Sequence, residues 1–270
     1  MQRKDTIPNI GKEPFTHLAL HGWGSDHRTF DPISSFVPSK FSVLCPDLPG
    51  YGSTQSPKEW TLDCVTEETV SMIKTERIQE PIVIIGNCLG AVLGLEMVVK
   101  NMIKAKKIII IDPVIFFPMY LKIFLLGKLG KTAYLGTLDT KIGRFLSNLA
   151  VSRNKSSDID YTESFKDVNH DSAYKYLNMM AKIPDPSRYK EVNIDVDIIY
   201  GQKTLGAVRK SSKALREIWN HANEIQVPNA GHLPLAEQSE VMANLIFDLS
   251  LIHISEPTRR TPISYAVFCL

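Results

Sequence analysis

The sequence predicts an α/β fold: a mostly parallel central sheet flanked by helices, with a helical cap inserted after the strand near residue 110. Three observations carry this. Pro81-Ile-Val-Ile-Ile85 and Lys107-Ile-Ile-Ile-Ile111 are continuous apolar runs, as expected of strands buried on both faces of a parallel sheet. Such runs alternate with segments of helical apolar spacing. One long stretch, 114–191, breaks the alternation and shows little strand pattern.

The elements follow in order. Thr16-His-Leu-Ala-Leu20 reads as a strand entering a Gly-rich turn, and Phe41-Ser-Val-Leu-Cys45 as a strand stopped by Pro46-Asp47. Leu62 to Ile78 carries residues 62, 65, 69, 72 and 73 at helical spacing. The 81–85 strand comes next. Leu89 to Met102 is apolar nearly all round, which predicts a buried central helix. After the 107–111 strand, Tyr120–Leu129 and Ser172–Lys182 read as helices around a polar loop, Ser152–Asp160. Val196-Asp-Ile-Ile-Tyr200 is a strand. Val208 to His221 is a helix with Leu215, Ile218 and Trp219 on its apolar side, and Glu224-Ile-Gln-Val227 is the last strand. The division expected is a core of 1–113 with 192–248, and a cap of 114–191.

The last 22 residues stand apart. Leu249-Ser-Leu-Ile-His-Ile-Ser-Glu-Pro-Thr-Arg259 and the residues on to Leu270 resemble a translated transposon-type sequencing adapter. The native frame is therefore expected to end near Asp248, and 249–270 is set aside as a non-native tail.

Composition narrows the function classes. The net charge of +2 gives no electrostatic case for a nucleic-acid partner. The four cysteines, at 45, 64, 88 and 269, include no CxxC pair, so neither a metal or redox spacing nor a disulfide framework is indicated. No apolar run follows the basic N-terminus, and no uncharged stretch is long enough to span a membrane. A cytoplasmic protein without metal or cofactor, acting on a small molecule, is expected; the oligomeric state is not legible.

Three short motifs carry chemistry. Gly86-Asn87-Cys88-Leu89-Gly90 lies between a buried strand and an apolar helix. That is the setting of a nucleophile elbow, with Cys in place of the usual Ser. Gly86 and Gly90 make room for a tight turn, which sets Cys88 at a helix N-terminus where the dipole favours a thiolate. His21-Gly22-Trp23-Gly24 follows the first strand and can aim a backbone N–H at a developing oxyanion. Trp23 and Leu89 are the candidate donors. Asn229-Ala-Gly-His232-Leu-Pro234 follows the last strand and can bring His232 to the elbow as general base.

The order and spacing of these motifs resemble the α/β-hydrolase superfamily over roughly residues 14–248. Asp47-Leu48-Pro49-Gly50-Tyr51-Gly52 matches a further, structural loop of that family. The likeness is to the small lidded esterases and carbon–carbon hydrolases, the pimeloyl-carrier-protein methyl ester esterase type among them, while the GxCxG elbow is similar to dienelactone hydrolases and polyhydroxyalkanoate synthases. The resemblance places the cap after the sixth family strand.

The sequence departs from the family at the acid. The usual Gly-x-x-Asp turn is here Gly201-Gln202-Lys203-Thr204, so Thr204 holds the acid's place. Asp112, at the end of the preceding strand, is the best substitute, as in superfamily members that keep their acid there; a Cys–His dyad without an acid stays open. A thiol is more acidic than a hydroxyl and needs less help from a base. The resulting expectation is a hydrolase of esters, thioesters or related acyl bonds, working through an acyl-Cys88 intermediate. Ile115, Phe116, Phe117, Met119, Tyr120, Ile123 and Phe124 at the start of the cap suit an apolar acyl or aromatic group. A non-catalytic binding protein on a hydrolase scaffold and an acyltransferase remain the alternatives.

Overall fold

The computed structural model describes residues 7–151 and 159–247. The adapter-like tail at 249–270 and most of the expected 152–160 loop lie outside the described residues. Seven strands form one sheet: β1 (Asn9–Ile10), β2 (Phe15–Leu20), β3 (Val43–Leu44), β4 (Ile78–Asn87), β5 (Ala105–Ile111), β6 (Asp195–Gly201) and β7 (Asn223–Val227). Their order is β1-β3-β2-β4-β5-β6-β7. The edge strand β1 is antiparallel to β3, and every other pairing is parallel. This is the mostly parallel α/β sheet that the sequence predicts.

The isoleucine runs explain why the sheet is covered on both faces. Ile82, Ile84, Ile108, Ile110 and Ile198 pack into one core with α1 (Leu62–Ile73), α2 (Leu89–Val99) and α6 (Gly206–Ile218). Val83, Ile85, Ile109, Ile111 and Ile199 pack into a second core with Phe30 and Ile33 of a 3-10 helix, and with Met242 and Ile246 of α8 (Ser239–Ile246). Side chains alternate between faces along a strand, so a continuous apolar run serves both cores. Each fully buried Ile contributes roughly 1.5–3 kcal/mol.

Two helices end earlier than their apolar spacing suggests. The helix expected over 62–78 stops at Ile73, and Ile78 instead opens β4 by pairing with Phe15 of β2. The helix expected over 89–102 stops at Val99. Asn101 adopts φ 51, the Asn101 N–H donates to Val98 O, and the Met102 N–H donates to Met97 O. That is a Schellman cap with Asn in the left-handed position usually held by Gly.

Between β5 and β6 the described chain is helical. A 3-10 segment (Met119–Leu125) leads to α3 (Gly127–Tyr134), a π turn (Leu135–Asp139) and α4 (Lys141–Ala150). Short 3-10 turns at Glu163–Lys166 and Pro186–Tyr189 flank α5 (His170–Met180). The single helix expected over 120–129 is thus two, broken where Gly127 takes φ 54. Named bonds fasten this segment to the sheet domain. The Trp23 indole N–H donates to Ala173 O at 2.7 Å, and the Tyr176 hydroxyl to Pro49 O at 2.8 Å. Buried Glu96 of α2 takes Arg188 in two bonds and the Tyr189 hydroxyl in a third.

Parallel pairing also sets where chemistry can occur. In register, Leu20 faces Gly86, Asn87 faces Ile111, and Ile111 faces Ile199. The carboxyl ends of β2, β4, β5 and β6 therefore lie side by side at one edge, and the residues that follow them, His21, Cys88, Asp112 and Gln202, are brought together.

Candidate active site

Cys88 sits at the turn from β4 into α2 with φ 51 and ψ −110. A side chain is strained there, and the turn must be tight. The two flanking glycines permit it. A Cβ on Gly86 would meet the Ala91 backbone, and one on Gly90 would meet the carbonyl oxygen of Leu20. The Cys88 N–H is anchored to Ile111 O at 2.9 Å. The thiol therefore points out from the sheet edge at the start of α2, and it lines a cavity of about 650 Å³.

The turn after β2 comes against the elbow. A Cβ on Gly22 would lie 3.0 Å from Cys88 Cβ and 3.1 Å from Asn87 Oδ1, so the backbone that leads into Trp23 passes close beside the elbow. Leu89 opens α2 directly after Cys88 and supplies a second amide of the unsatisfied kind found in a first helical turn. His21 is buried and engaged. The Leu48 N–H donates to its Nε2 at 2.9 Å, and its Nδ1 bonds Gly22 O at 2.9 Å. Nε2 must accept, so the proton sits on Nδ1 and the ring is neutral. Burial holds its pKa below the ordinary His value. His21 thus ties the loop after β2 to the loop after β3, and Tyr51 does the same by accepting the Gly24 N–H at 3.1 Å.

His232 and Asp112 meet. His232 Nδ1 lies 2.8 Å from Asp112 Oδ2, which leaves Nε2 for the cavity that His232 and Cys88 both line. Asp112 is fully buried, with φ 45. Its Oδ1 accepts the Gly201 N–H at 3.0 Å, and its Oδ2 also accepts the Thr204 hydroxyl at 2.6 Å. Thr204, which stands where the family's acid is expected, is a donor to the carboxylate supplied by the neighbouring strand. Burial pushes the Asp112 carboxyl above the usual Asp range, while these three hydrogen bonds pull the other way. Burial also disfavours the His232 imidazolium, but hydrogen bonds to Asp112 and Cys88, and their charges, outweigh it and raise His232 to about 10.

What holds the His232 loop is a set of contacts that motif spacing does not reveal. Glu237 of the short helix α7 (Pro234–Glu237) accepts the N–H groups of Gly231 at 2.9 Å and Leu233 at 3.1 Å. The Tyr161 hydroxyl donates to Glu237 at 2.6 Å and accepts the His232 N–H at 2.9 Å. A Glu in the first turn of a Pro-initiated helix is a readable capping signal; Tyr161 comes from the helical segment and carries none. Two of the other cysteines are placed apart from the site. Cys45 is buried in the opposite core, where burial pushes its thiol up to about 12, and Cys64 lies in α1.

Among the described residues one group of metal-capable side chains comes together: Asp26, His27 and Asp47. His27 Nδ1 bonds Asp47 at 2.8 Å, and Asp26 caps a 3-10 helix and pairs with Arg28. Their bonds are those of a braced loop. The cavity above Cys88 is walled by Trp23, Tyr120, Leu121, Phe124, Leu138 and Met180, with Asp160, Tyr161 and Glu163 on another side.

Comparison with known proteins bears on the family and the fold. The sequence pattern of the Alpha/beta hydrolase family matches residues 18–245. A pimeloyl-[acyl-carrier protein] methyl ester esterase of Neisseria meningitidis is 23% identical over 107 residues, 40% of this chain and 32% of that protein. The chain thus aligns with about a third of that relative's length. Among solved structures, an esterase of Thermogutta terrifontis superposes with a TM-score of 0.72 at 17% identity, covering 90% of this chain and 91% of the other. An enol-lactonase of Burkholderia xenovorans gives 0.72 at 15% identity, covering 89% and 94%. At these identities the likeness is one of fold.

Proposed function

The chain belongs to the alpha/beta hydrolase family, and on that premise we propose that it hydrolyses esters or thioesters through an acyl-Cys88 intermediate. The observation that carries this reading is that His232 lines the same cavity as Cys88 while its Nδ1 is held at 2.8 Å by the buried Asp112 carboxylate. In this reading residues 114–191 form a cap over a core of 1–113 and 192–248, and the apolar cavity between them receives the acyl group.

The steps follow from the placement. Cys88 gives its proton to His232 Nε2, and the thiolate attacks the acyl carbon. The oxygen's negative charge is met by the amides of Trp23 and Leu89. The bond to the leaving alkoxide or thiolate then breaks as the imidazolium returns its proton to it. An acyl thioester remains on Cys88. Water, losing its proton to His232, attacks that thioester, and the second tetrahedral species collapses to release the carboxylic acid and the thiol. Asp112 keeps Nδ1 protonated and steadies the imidazolium, the part played by the acid in serine triads. Thr204 positions Asp112. The walls of the cavity suit an apolar acyl chain or an aromatic group. The support from relatives is of the same kind, since the Neisseria protein is named for its action on a methyl ester.

A panel of p-nitrophenyl esters and acyl thioesters, assayed before and after iodoacetamide treatment, tests the reading. Turnover that disappears with stoichiometric alkylation of Cys88 supports it. A Cys88 that alkylates readily while no ester or thioester is cleaved would identify a binding protein on the hydrolase scaffold. Product formed with an added alcohol or thiol in preference to water would identify an acyltransferase.

A further inference from the structure

Among the described residues, the exposed large apolar side chains fall in one place. Apart from Phe36, all of them lie between Met119 and Leu149. Ile123, Leu126, Leu129, Ile142, Phe145 and Leu149 are each more than half exposed. They lie on the 3-10 segment, on Leu126 at its junction with α3, on α3 and on α4, which follow one another with the π turn between the last two. Helix α4 is turned inside out relative to a soluble surface helix. Its stripe of Ile142, Phe145, Leu146 and Leu149, spaced i, i+3, i+4, i+7, faces outward. Its one arginine, Arg144, is buried and donates to the carbonyls of Leu138 and Asp139. A contiguous apolar face of this kind marks an interaction site.

The charges around it narrow the partner. Lys122, Lys128 and Lys141 are exposed within the same helices, and Asp139 is the single acidic residue between Val114 and Val151. An apolar face set among lysines is complementary to an anionic lipid surface: the apolar groups enter the headgroup boundary while the ammonium groups meet phosphate and carboxylate. It is poorly suited to a second copy of this chain, because a two-fold contact would set the lysines of each copy against those of the other. The face is also the outer wall of the cavity above Cys88. Tyr120, Leu121 and Phe124 of the 3-10 segment, and Ser147 and Ala150 of α4, line that cavity from inside.

We propose that the outer face of the 3-10 segment, α3 and α4 docks the protein reversibly on an anionic lipid surface. Docking sets the cavity wall against the bilayer, so an apolar molecule has a short path from the lipid to the cavity. The proposal does not depend on the reaction at Cys88, because the bound fraction can be read in Cys88→Ala as well as in the natural chain.

The test is partition of the full chain onto phosphatidylcholine vesicles with and without phosphatidylserine, followed by flotation, with light scattering on the protein alone. The chain should float with the phosphatidylserine vesicles, and raised salt should release it. Phe145→Ser with Leu149→Ser should lower the partition coefficient by about tenfold or more, since two side chains no longer enter the interface. Lys128→Glu with Lys141→Glu should remove the preference for phosphatidylserine. These four positions are exposed, and thermal melts of the variants should match the parent. No partition onto either vesicle overturns the proposal, and so does equal partition of the Phe145/Leu149 variant. A dimer of the parent that becomes a monomer in that variant, with no partition onto vesicles, overturns it in favour of contact between copies.

Discussion

Replacing Asp112 by Asn is the sharpest probe of the site, because it changes charge and donor pattern while keeping shape. Asp112 takes three donors: Gly201 N–H, the Thr204 hydroxyl and His232 Nδ1. In Asp112→Asn the amide oxygen can serve the Gly201 N–H, and the NH2 group then points at Thr204 and His232. Thr204 can respond by accepting. His232 can respond only by moving its proton to Nε2, where it can no longer take one from Cys88. A hydrogen bond to a charged group is worth about 1.5–3 kcal/mol. At 1.36 kcal/mol per decade, kcat/KM should fall by about 10–150-fold. A serine triad loses about 10⁴-fold on the equivalent change; the smaller loss here reflects a thiol that ionises more readily. The assay is kcat/KM on a p-nitrophenyl ester, with iodoacetamide alkylation of Cys88 followed in parallel. Adding Thr204→Asp to Asp112→Asn should recover part of the loss, because it restores a carboxylate beside His232 Nδ1. In the parent background Thr204→Asp should harm, since it sets two carboxylates within hydrogen-bonding distance of each other. A kcat/KM of Asp112→Asn within twofold of the parent would refute the relay.

Four further outcomes are expected. Cys88→Ala should abolish turnover with little change in melting temperature, and mass spectrometry of briefly alkylated protein should find Cys88 modified well before Cys45, whose buried thiol is pushed up to about 12. The raised pKa of His232 means that the folded state holds an extra proton between the unfolded value near 6.5 and about 10. The stability this adds is complete below 6.5 and is lost as the pH rises through 10; melting curves from pH 6 to 10 should show this decline in the parent and a weaker one in Asp112→Asn. Gly90→Ala places a methyl group against the Leu20 carbonyl, so it should cost at least about 1–3 kcal/mol, seen as a lower urea midpoint, and lower activity through a displaced elbow. Thr204→Val removes the 2.6 Å bond to Asp112; kcat should fall severalfold with KM nearly unchanged, and Thr204→Ser should restore it, a pattern that a purely structural role for the hydroxyl would not give.

The legible parts of the chain were those in which one local signal decides the outcome. Ile108, Ile109, Ile110 and Ile111 specify a strand covered on both faces, and the structure divides them between two cores. The glycines of 86–90 specify a tight turn, and their missing Cβ atoms are where Ala91 and Leu20 approach. Helix ends were less legible because spacing continues past the residue that stops the helix: nothing in the apolar pattern of 89–102 reports that Asn101 turns left-handed. Of the braces of the site, only Glu237 in the first turn of its Pro-initiated helix was legible; its long-range partners were not. Tyr161 reaches His232 across 71 residues and Glu237 across 76, and Glu96 collects Arg188 from 92 residues away. Such pairings are made by the packing of the helical segment on the sheet, and neither sequence position reports its distant partner.

In the proposed mechanism Asp112 and Thr204 act as one exchange. Strands β5 and β6 are parallel neighbours, with Ile111 opposite Ile199. The residue after β5 and the turn after β6 therefore open on the same small volume beside His232. Asp112 enters it with its backbone N–H tied to Ile199 O at 2.8 Å and its carboxylate spanning Gly201 and Thr204. A second carboxylate at 204 would stand next to the first in a buried site, and two such groups cannot both stay ionised. With an acid after β5, position 204 is better filled by a donor. Thr meets that need with a hydroxyl that binds Oδ2 from one side while His232 binds it from another. On the proposed reading, the threonine in the turn where the resemblance expects the acid marks a transfer of the carboxylate to the adjacent strand, and it does not by itself argue for a site without catalysis.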